Sequence, residues 1–218
     1  MEAIIKIFVY IHAFFGGLGL IAGMAGIVVK KGSRNHKIAG KIFSLAMIVS
    51  ALISLVVSRM PNHHNLFLFL IGIFTIYLVL AGNRALTLRS EIKPAADNID
   101  KSISGPMVIT SVIMIITGIT GLIQQEVNSI LYVFFGSVGL SLALRDFKTF
   151  RTFTTDKKAW LKSHIGRMVG AFIASITAFM VVGLHIGTLL VWVMPTILGS
   201  GYIIYWIRKI KPVAAAVE

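Results

Sequence analysis

Seven apolar stretches follow one another along the chain, and they constrain its fold more than any other feature of the sequence. They run over residues 4–29, 38–57, 66–81, 107–123, 130–144, 165–184 and 188–207. A helix that crosses the hydrocarbon core of a bilayer needs about 20 predominantly apolar residues. The sequence therefore predicts an all-α, polytopic membrane bundle of about seven transmembrane helices, with loops over 89–105 and 146–163.

The overall composition agrees with a lipid environment. Of the 218 residues, 56% are hydrophobic and 13% are charged, whereas soluble chains average about 45–50% apolar and about 25% charged residues. One small core cannot hide that excess of apolar side chains. The chain has no cysteine, which excludes disulfides, iron–sulfur clusters and thiolate metal sites. The first stretch is long and lacks a basic start, so we interpret it as a retained span and not as a secretory signal.

The basic residues are distributed so that they predict an orientation. They flank the first, third and fifth connections and follow the last stretch; of the 21 Lys and Arg, only Lys6 and Arg59 lie elsewhere. Cytoplasmic loops carry the excess of Lys and Arg, which predicts an outside N-terminus and a cytoplasmic C-terminus in a bacterial inner membrane. The net charge of +13 then indicates anionic lipid headgroups as partners, and not nucleic acid.

Two parts of the chain resemble each other and predict an internal repeat. Residues 14–20 read FFGGLGL and residues 134–140 read FFGSVGL, while His36 corresponds to His164. We interpret residues 1–218 as a single membrane domain with a parallel 3+1+3 arrangement. Repeat one covers residues 1–88, a connector helix covers 106–124 and repeat two covers 128–212.

Small residues and acids give two further expectations. His12, Gly16, Gly19, Gly23 and Gly26 share one helix face, which favours close helix packing or, alternatively, a flat slot for a planar ligand. All eight acidic residues lie at the ends of the predicted spans or in loops. This placement disfavours carriers that couple transport to protons or sodium ions through a buried carboxylate. It also disfavours zinc hydrolases, which need a buried acid.

The paired histidines are the leading candidates for a cofactor site. His36 and His164 lie at equivalent helix starts, each followed by glycine and a cation. Two imidazoles from two helices suit the axial positions of a b-type haem, with Gly40 leaving room for the ring and Arg167 available to a propionate. The alternatives are interfacial histidines satisfied by headgroups, water or helix-end backbone, and histidines that bind a lipid phosphate or another anion.

The remaining histidines give two more candidates. His12 is an intramembrane ionisable residue, either functional and a possible second cofactor site or a neutral imidazole bonded to Ser, Thr or a carbonyl. His63, His64 and His185 lie near the predicted outer surface and are candidate copper or zinc ligands. None of these patterns defines a catalytic residue.

The motifs around the paired histidines resemble an uncharacterised family of bacterial predicted multi-span membrane proteins, a domain of unknown function. They are His36-x-x-x-Gly40-Lys41, His164-Ile-Gly166-Arg167 and Trp192-x-x-Pro195-Thr196-x-x-Gly199. The resemblance covers nearly the whole chain. It implies a bacterial inner-membrane protein and does not imply an activity.

Three functions are compatible with these features. The first is a histidine-ligated haem or membrane redox protein. The second is a carrier or exporter of a small uncharged or anionic substrate that runs on the substrate gradient alone. Its site would be lined by His12, Ser50, Tyr132 and Pro195 at the repeat interface. The third is a non-catalytic membrane protein that binds lipids or a partner.

Overall fold

Seven α-helices make up most of the chain in a computed structural model that describes residues 2–89, 91–126 and 128–210. They are α1 (Glu2–Val28), α2 (Arg34–Val57), α3 (Leu66–Ala85), α4 (Asn98–Ile123), α5 (Ser129–Thr152), α6 (Ala159–Ala178) and α7 (Leu189–Lys209), with a π-helical turn at Phe179–Gly183. No strand occurs among these described residues, so the all-α prediction is confirmed. Lys211 and the end of repeat two lie outside the described residues.

All seven helices are long and apolar enough to cross a membrane, judged by length and composition. The prediction of a multi-pass membrane protein is confirmed at this level. Pro195 lies inside α7, which continues through it. The orientation of the chain and its internal repeat stay predictions.

Two of the predicted loops are shorter than expected because helices α4 and α5 extend into them. Helix α4 begins at Asn98 because Asp97 and Asp100 form a capping box: Asp100 N donates to Asp97 Oδ1 over 3.0 Å, and Asp97 N donates to Asp100 Oδ2 over 3.0 Å. Helix α5 continues to Thr152 and α6 begins at Ala159. The predicted loop at 89–105 is therefore wrong over residues 98–105, and the predicted loop at 146–163 is wrong over residues 146–152 and 159–163.

The chain divides into two compact units. Unit 1 comprises Met1–Val79 and Ala171–Pro195, and unit 2 comprises Leu80–Gly170 and Thr196–Glu218. In unit 1 the main pairing is α1 against α2, and in unit 2 it is α4 against α5. Each unit takes residues from both predicted repeats, so the units do not follow the repeat boundaries.

The glycine face of α1 serves helix packing within unit 1. A Cβ atom added to Gly19 would lie 2.7 Å from Met47 Sδ, and one added to Gly23 would lie 3.1 Å from Phe43 Cδ2 and closer still to Phe172. Side chains therefore fill the space in front of these glycines. The packing interpretation is confirmed there, and the expectation of a flat slot for a planar ligand at Gly19 and Gly23 is wrong.

Candidate functional site

Buried acidic side chains in unit 2 form the most distinctive polar site among the described residues. Asp100 and Asp146 are only 2% and 3% exposed, so the expectation that no acid is buried is wrong. They belong to a network that we call the charge cluster, made of Arg84, Lys93, Asp97, Asp100, Ser104, Asp146 and Arg167. With three cations and three carboxylates, the charge cluster is neutral overall.

An ion pair between Asp146 and Arg167 forms the buried half of the charge cluster. Arg167 Nη2 donates to Asp146 Oδ1 over 2.6 Å and to the Leu142 carbonyl over 2.6 Å. Ser104 Oγ donates to Asp146 Oδ2 over 3.0 Å. Arg167 is 4% exposed, so each charge depends on its partner for the solvation that water would otherwise supply. The pair joins α5 and α6, and Ser104 adds α4.

Asp100 anchors the other half of the charge cluster at the start of α4. Arg84 Nε donates to Asp100 Oδ1 over 2.9 Å, and Arg84 Nη2 donates to Asp97 Oδ2 over 2.6 Å. Lys93 also pairs with Asp100, and its Nζ lies 3.4 Å from Asp97 Oδ2. The capping box places Asp97 and Asp100 within reach of Arg84, at the end of α3, and of Lys93, in the connection that follows α3.

A small cavity lies beside both buried carboxylates. Its lining comprises Ala81, Arg84, Leu88, Asp100, Ile103, Ser104, Asp146, Phe150 and Ser163. It has room for about one water molecule.

Acidification should weaken the start of α4, because the pKa of Asp97 lies below its ordinary value. The main cause is the hydrogen bond from the Asp100 N–H, reinforced by Arg84 and Lys93 and partly offset by desolvation. A carboxyl group whose pKa is lowered by folding stabilises the folded state above its unfolded pKa of about 3.9 and loses that contribution as the pH falls. The hydrogen-exchange protection factors of the amides in the first turn of α4 should therefore fall below about pH 4.

Two substitutions check this pH dependence. Asp97→Asn should flatten it, since the amide does not titrate. Glu91→Gln removes an exposed carboxylate from the same connection and should leave the dependence as in the wild type. An unchanged acid response in Asp97→Asn contradicts the assignment.

His36 and His164 both donate to carbonyls near the C-terminal ends of helices. His36 Nδ1 lies 3.0 Å from the Gly26 carbonyl oxygen in unit 1, and His164 Nδ1 lies 2.9 Å from the Gly82 carbonyl oxygen in unit 2. The last four carbonyls of a helix have no partner within the helix, and both glycines are among the last four residues of their helices. This geometry agrees with the alternative of histidines satisfied by helix-end backbone.

The same geometry suits a metal-ligating imidazole, because ligating histidines commonly donate their second ring N–H to a carbonyl. A Cβ atom added to Gly40, one helical turn after His36, would meet nothing within 4 Å, so there is open space beside that histidine. Arg167, however, is buried against Asp146, and its predicted role toward a propionate does not fit. The two histidines belong to different units, and the haem stays a prediction.

His12 forms a reciprocal link between α1 and α2. Its Nδ1 lies 2.9 Å from the Ser50 carbonyl oxygen and 3.0 Å from Ser50 Oγ, while Ser50 Oγ donates to the His12 carbonyl over 3.1 Å. Ser50 is 3% exposed. This matches the alternative of a histidine bonded to a serine and a carbonyl, and it places His12 and Ser50 together as predicted for the carrier.

Removing the His12 imidazole should loosen the pairing of α1 with α2. We expect His12→Leu to lower the free energy of unfolding by about 1 kcal/mol, the usual contribution of a hydrogen bond. Unfolding in mixed micelles of mild detergent and SDS measures the change. Tyr10→Leu, at a position that is 73% exposed, is the control and should have a smaller effect; equal effects would contradict the role of the imidazole.

The outer histidines are exposed and do not gather into a larger ligand set. His64 Nε2 accepts a hydrogen bond from Arg59 Nη1 over 2.9 Å, and His185 has a positive φ of 57°. Among the residues that the structure describes, no group of three or more His, Cys, Asp or Glu side chains is placed to hold a metal ion. Metal binding by His63, His64 and His185 stays a prediction.

Sequence reasoning missed Asp100, Ser104 and Asp146. A signal for the first was present, because Asp97-x-x-Asp100 places an acid three residues after a helix N-cap. Asp146 had no comparable local signal, since its partners Ser104 and Arg167 lie 42 and 21 residues away.

Comparison with known proteins identifies no relative of this chain. No protein-family model, curated protein or solved structure matches the chain. The resemblance to an uncharacterised bacterial membrane family therefore stays a prediction.

Proposed function

We propose that this protein is a membrane carrier that moves a small monovalent anion together with a proton through the charge cluster. The observation that carries the proposal is the buried Asp146–Arg167 pair beside a cavity with room for about one water. Ionisable side chains inside membrane helices are costly, and they occur mainly on substrate, ion and proton pathways. We place the carrier in a bacterial inner membrane with its C-terminus in the cytoplasm, as the distribution of Lys and Arg favours.

Charge balance selects the substrate class. The charge cluster is neutral, and uncompensated charge in a low-dielectric interior is expensive. Binding a monovalent anion alone would leave one extra negative charge. Binding an anion together with a proton keeps the sum at zero, so co-transport of the two is the least costly cycle.

Asp146, Arg167 and Ser104 can each take a separate part in binding the proton and the anion. A proton on Asp146 neutralises the carboxylate and releases Arg167 to bind the anion. Ser104 keeps a hydrogen bond in both states, because a hydroxyl can donate to a carboxylate or accept from a carboxylic acid. When the anion leaves, the proton leaves with it and the ion pair forms again.

Proteoliposomes test this cycle directly. Liposomes with a trapped pH indicator receive lactate, nitrate, succinate or phosphate under an imposed pH gradient, with empty liposomes as the leak control. We expect at least one monovalent probe to carry protons across in the presence of the protein. Failure of both lactate and nitrate to do so would reject the proposed substrate class.

Variants of Asp146 separate anion transport from proton transport. Asp146→Asn imitates the protonated carboxyl group, so it should retain anion exchange at equal pH and lose proton-linked uptake. Asp146→Glu keeps the carboxylate and should retain coupled uptake at a reduced rate. Proton-linked uptake that persists in a correctly folded Asp146→Asn protein would remove Asp146 from the mechanism.

The haem or redox function is the second candidate, favoured by the carbonyl-anchored Nδ1 atoms of His36 and His164. A haem, if bound, would supply one-electron transfer to and from a redox partner, with the two imidazoles holding the iron. Protein from haem-supplied cells would then show a Soret band with sharp α and β bands on reduction, lost in His36→Ala and in His164→Ala. A colourless, fully helical preparation would reject this candidate.

A further inference from the structure

Cations and apolar side chains share one exposed face of α2. Arg34, Lys37 and Lys41 follow one another at spacings of three and four residues, and Leu45, Leu52 and Val56 continue at spacings of four, seven and four. These spacings keep all six on one side of the helix. The three cations are exposed, and the apolar side chains are 66%, 50% and 46% exposed. We call these six residues the α2 outer face.

The cations of this face have no acidic partner among the residues that the structure describes. None of Arg34, Lys37 and Lys41 makes a side-chain hydrogen bond or ion pair with any part of the chain that the structure describes. Lys31 differs, because its ammonium group donates to the Gly26 carbonyl over 3.0 Å and to the Ile27 carbonyl. In unit 1 the sole acidic residue is Glu2, at the other end of α1. No acidic side chain near this end of α2 within unit 1 therefore balances its positive charge.

We infer that the α2 outer face is a binding site for an anionic phospholipid. A headgroup phosphate would lie against Arg34, Lys37 and Lys41, and an acyl chain would run along Leu45, Leu52 and Val56. The combination of charge and apolar surface selects this ligand. A soluble anion would use only the cations, and a nucleic acid has no acyl chain for the apolar part.

A second copy of the chain fits this face less well than a lipid does. Two copies inserted in the same orientation and paired through this face would bring their cations together. Like charges repel in such an arrangement, and the apolar surface alone gives no hydrophobic driving force between helices in lipid. A lipid neutralises the cations and covers the apolar side chains at the same time.

Lipid binding in detergent tests the inference with a defined probe. Palmitoyl-oleoyl phosphatidylglycerol is titrated onto the purified protein and the bound lipid is counted by native mass spectrometry, with phosphatidylcholine of the same chains as the neutral comparison. The triple variant Arg34→Gln, Lys37→Gln, Lys41→Gln should weaken phosphatidylglycerol binding on the order of 100-fold, from about 1 kcal/mol per cation near a membrane surface. Arg145→Gln, Lys148→Gln, Arg151→Gln removes the same charge from α5 and should leave this site intact.

Two further experiments distinguish a phospholipid from a soluble anion or a polyanion. The double variant Leu45→Gln, Leu52→Gln should weaken the binding of phosphatidylglycerol and leave the binding of glycerol 3-phosphate unchanged. Glycerol 3-phosphate or a short RNA should not displace the lipid at equal concentration. Displacement by glycerol 3-phosphate would assign the site to a soluble anion, displacement by RNA would assign it to a polyanion, and equal losses in the α2 and α5 triple variants would reduce it to general surface charge. Each of these three outcomes overturns the inference.

Discussion

Asp146→Asn should lower the free energy of unfolding by about 3–5 kcal/mol, the cost of leaving one partner of a buried ion pair without its counter-charge. The amide cannot neutralise the Arg167 guanidinium, which is 4% exposed and donates to Asp146 over 2.6 Å. It also changes the group that accepts from Ser104. Equilibrium unfolding in mixed micelles of mild detergent and SDS measures the loss.

A double variant distinguishes the lost pairing from a general sensitivity of this region. Asp146→Leu combined with Arg167→Met replaces both charges by apolar side chains, and such replacements of buried pairs are often neutral or stabilising. We expect the double variant to recover most of the stability that Asp146→Asn loses. A double variant as unstable as the sum of its single variants would contradict the pairing. Because both changes remove the groups to which the proposed transport cycle assigns the proton and the anion, the recovered protein should show no proton-linked uptake.

Gly118→Val should separate α4 from α5 and lower the free energy of unfolding by about 1–3 kcal/mol or more, the cost of overpacking a tight contact. A Cβ atom at this position would lie 2.8 Å from the Val133 backbone nitrogen and 2.9 Å from the Ser129 carbonyl oxygen. Backbone atoms of a helix cannot move aside individually, so the two helices must shift. In lipid, helices associate largely through such close approach of small residues.

Gly105 provides a matched control on the same helix. A Cβ atom added there would meet nothing within 4 Å, and Ala favours a helix over Gly by about 1 kcal/mol. Gly105→Ala should therefore leave stability unchanged or raise it slightly, while Gly118→Ala should already destabilise. Equal effects of the two Gly→Ala substitutions would show that helix propensity, and not the contact with α5, dominates at Gly118.

The seven helices and their approximate centres could be predicted from the apolar stretches alone. Each apolar stretch is long enough to span a bilayer, and backbone groups in lipid must bond within their own helix. The limits of α4 were partly readable as well, since Asp97 and Asp100 have the spacing of a capping box. The packing role of Gly19 and Gly23 followed from their place on one helix face.

Which charged residues are buried, and what they contact, depends on contacts between helices that are far apart in the sequence. Asp146 lies beside Arg145 and near Lys148 in the sequence, which is typical of an exposed helix end. Its burial depends on Arg167 and Ser104, which come from two other helices and compensate the cost of removing a carboxylate from water. Such compensation acts between residues far apart in the chain, whereas apolar patterns reflect each helix separately. For that reason the membrane helices could be predicted from the sequence and the charge cluster could not.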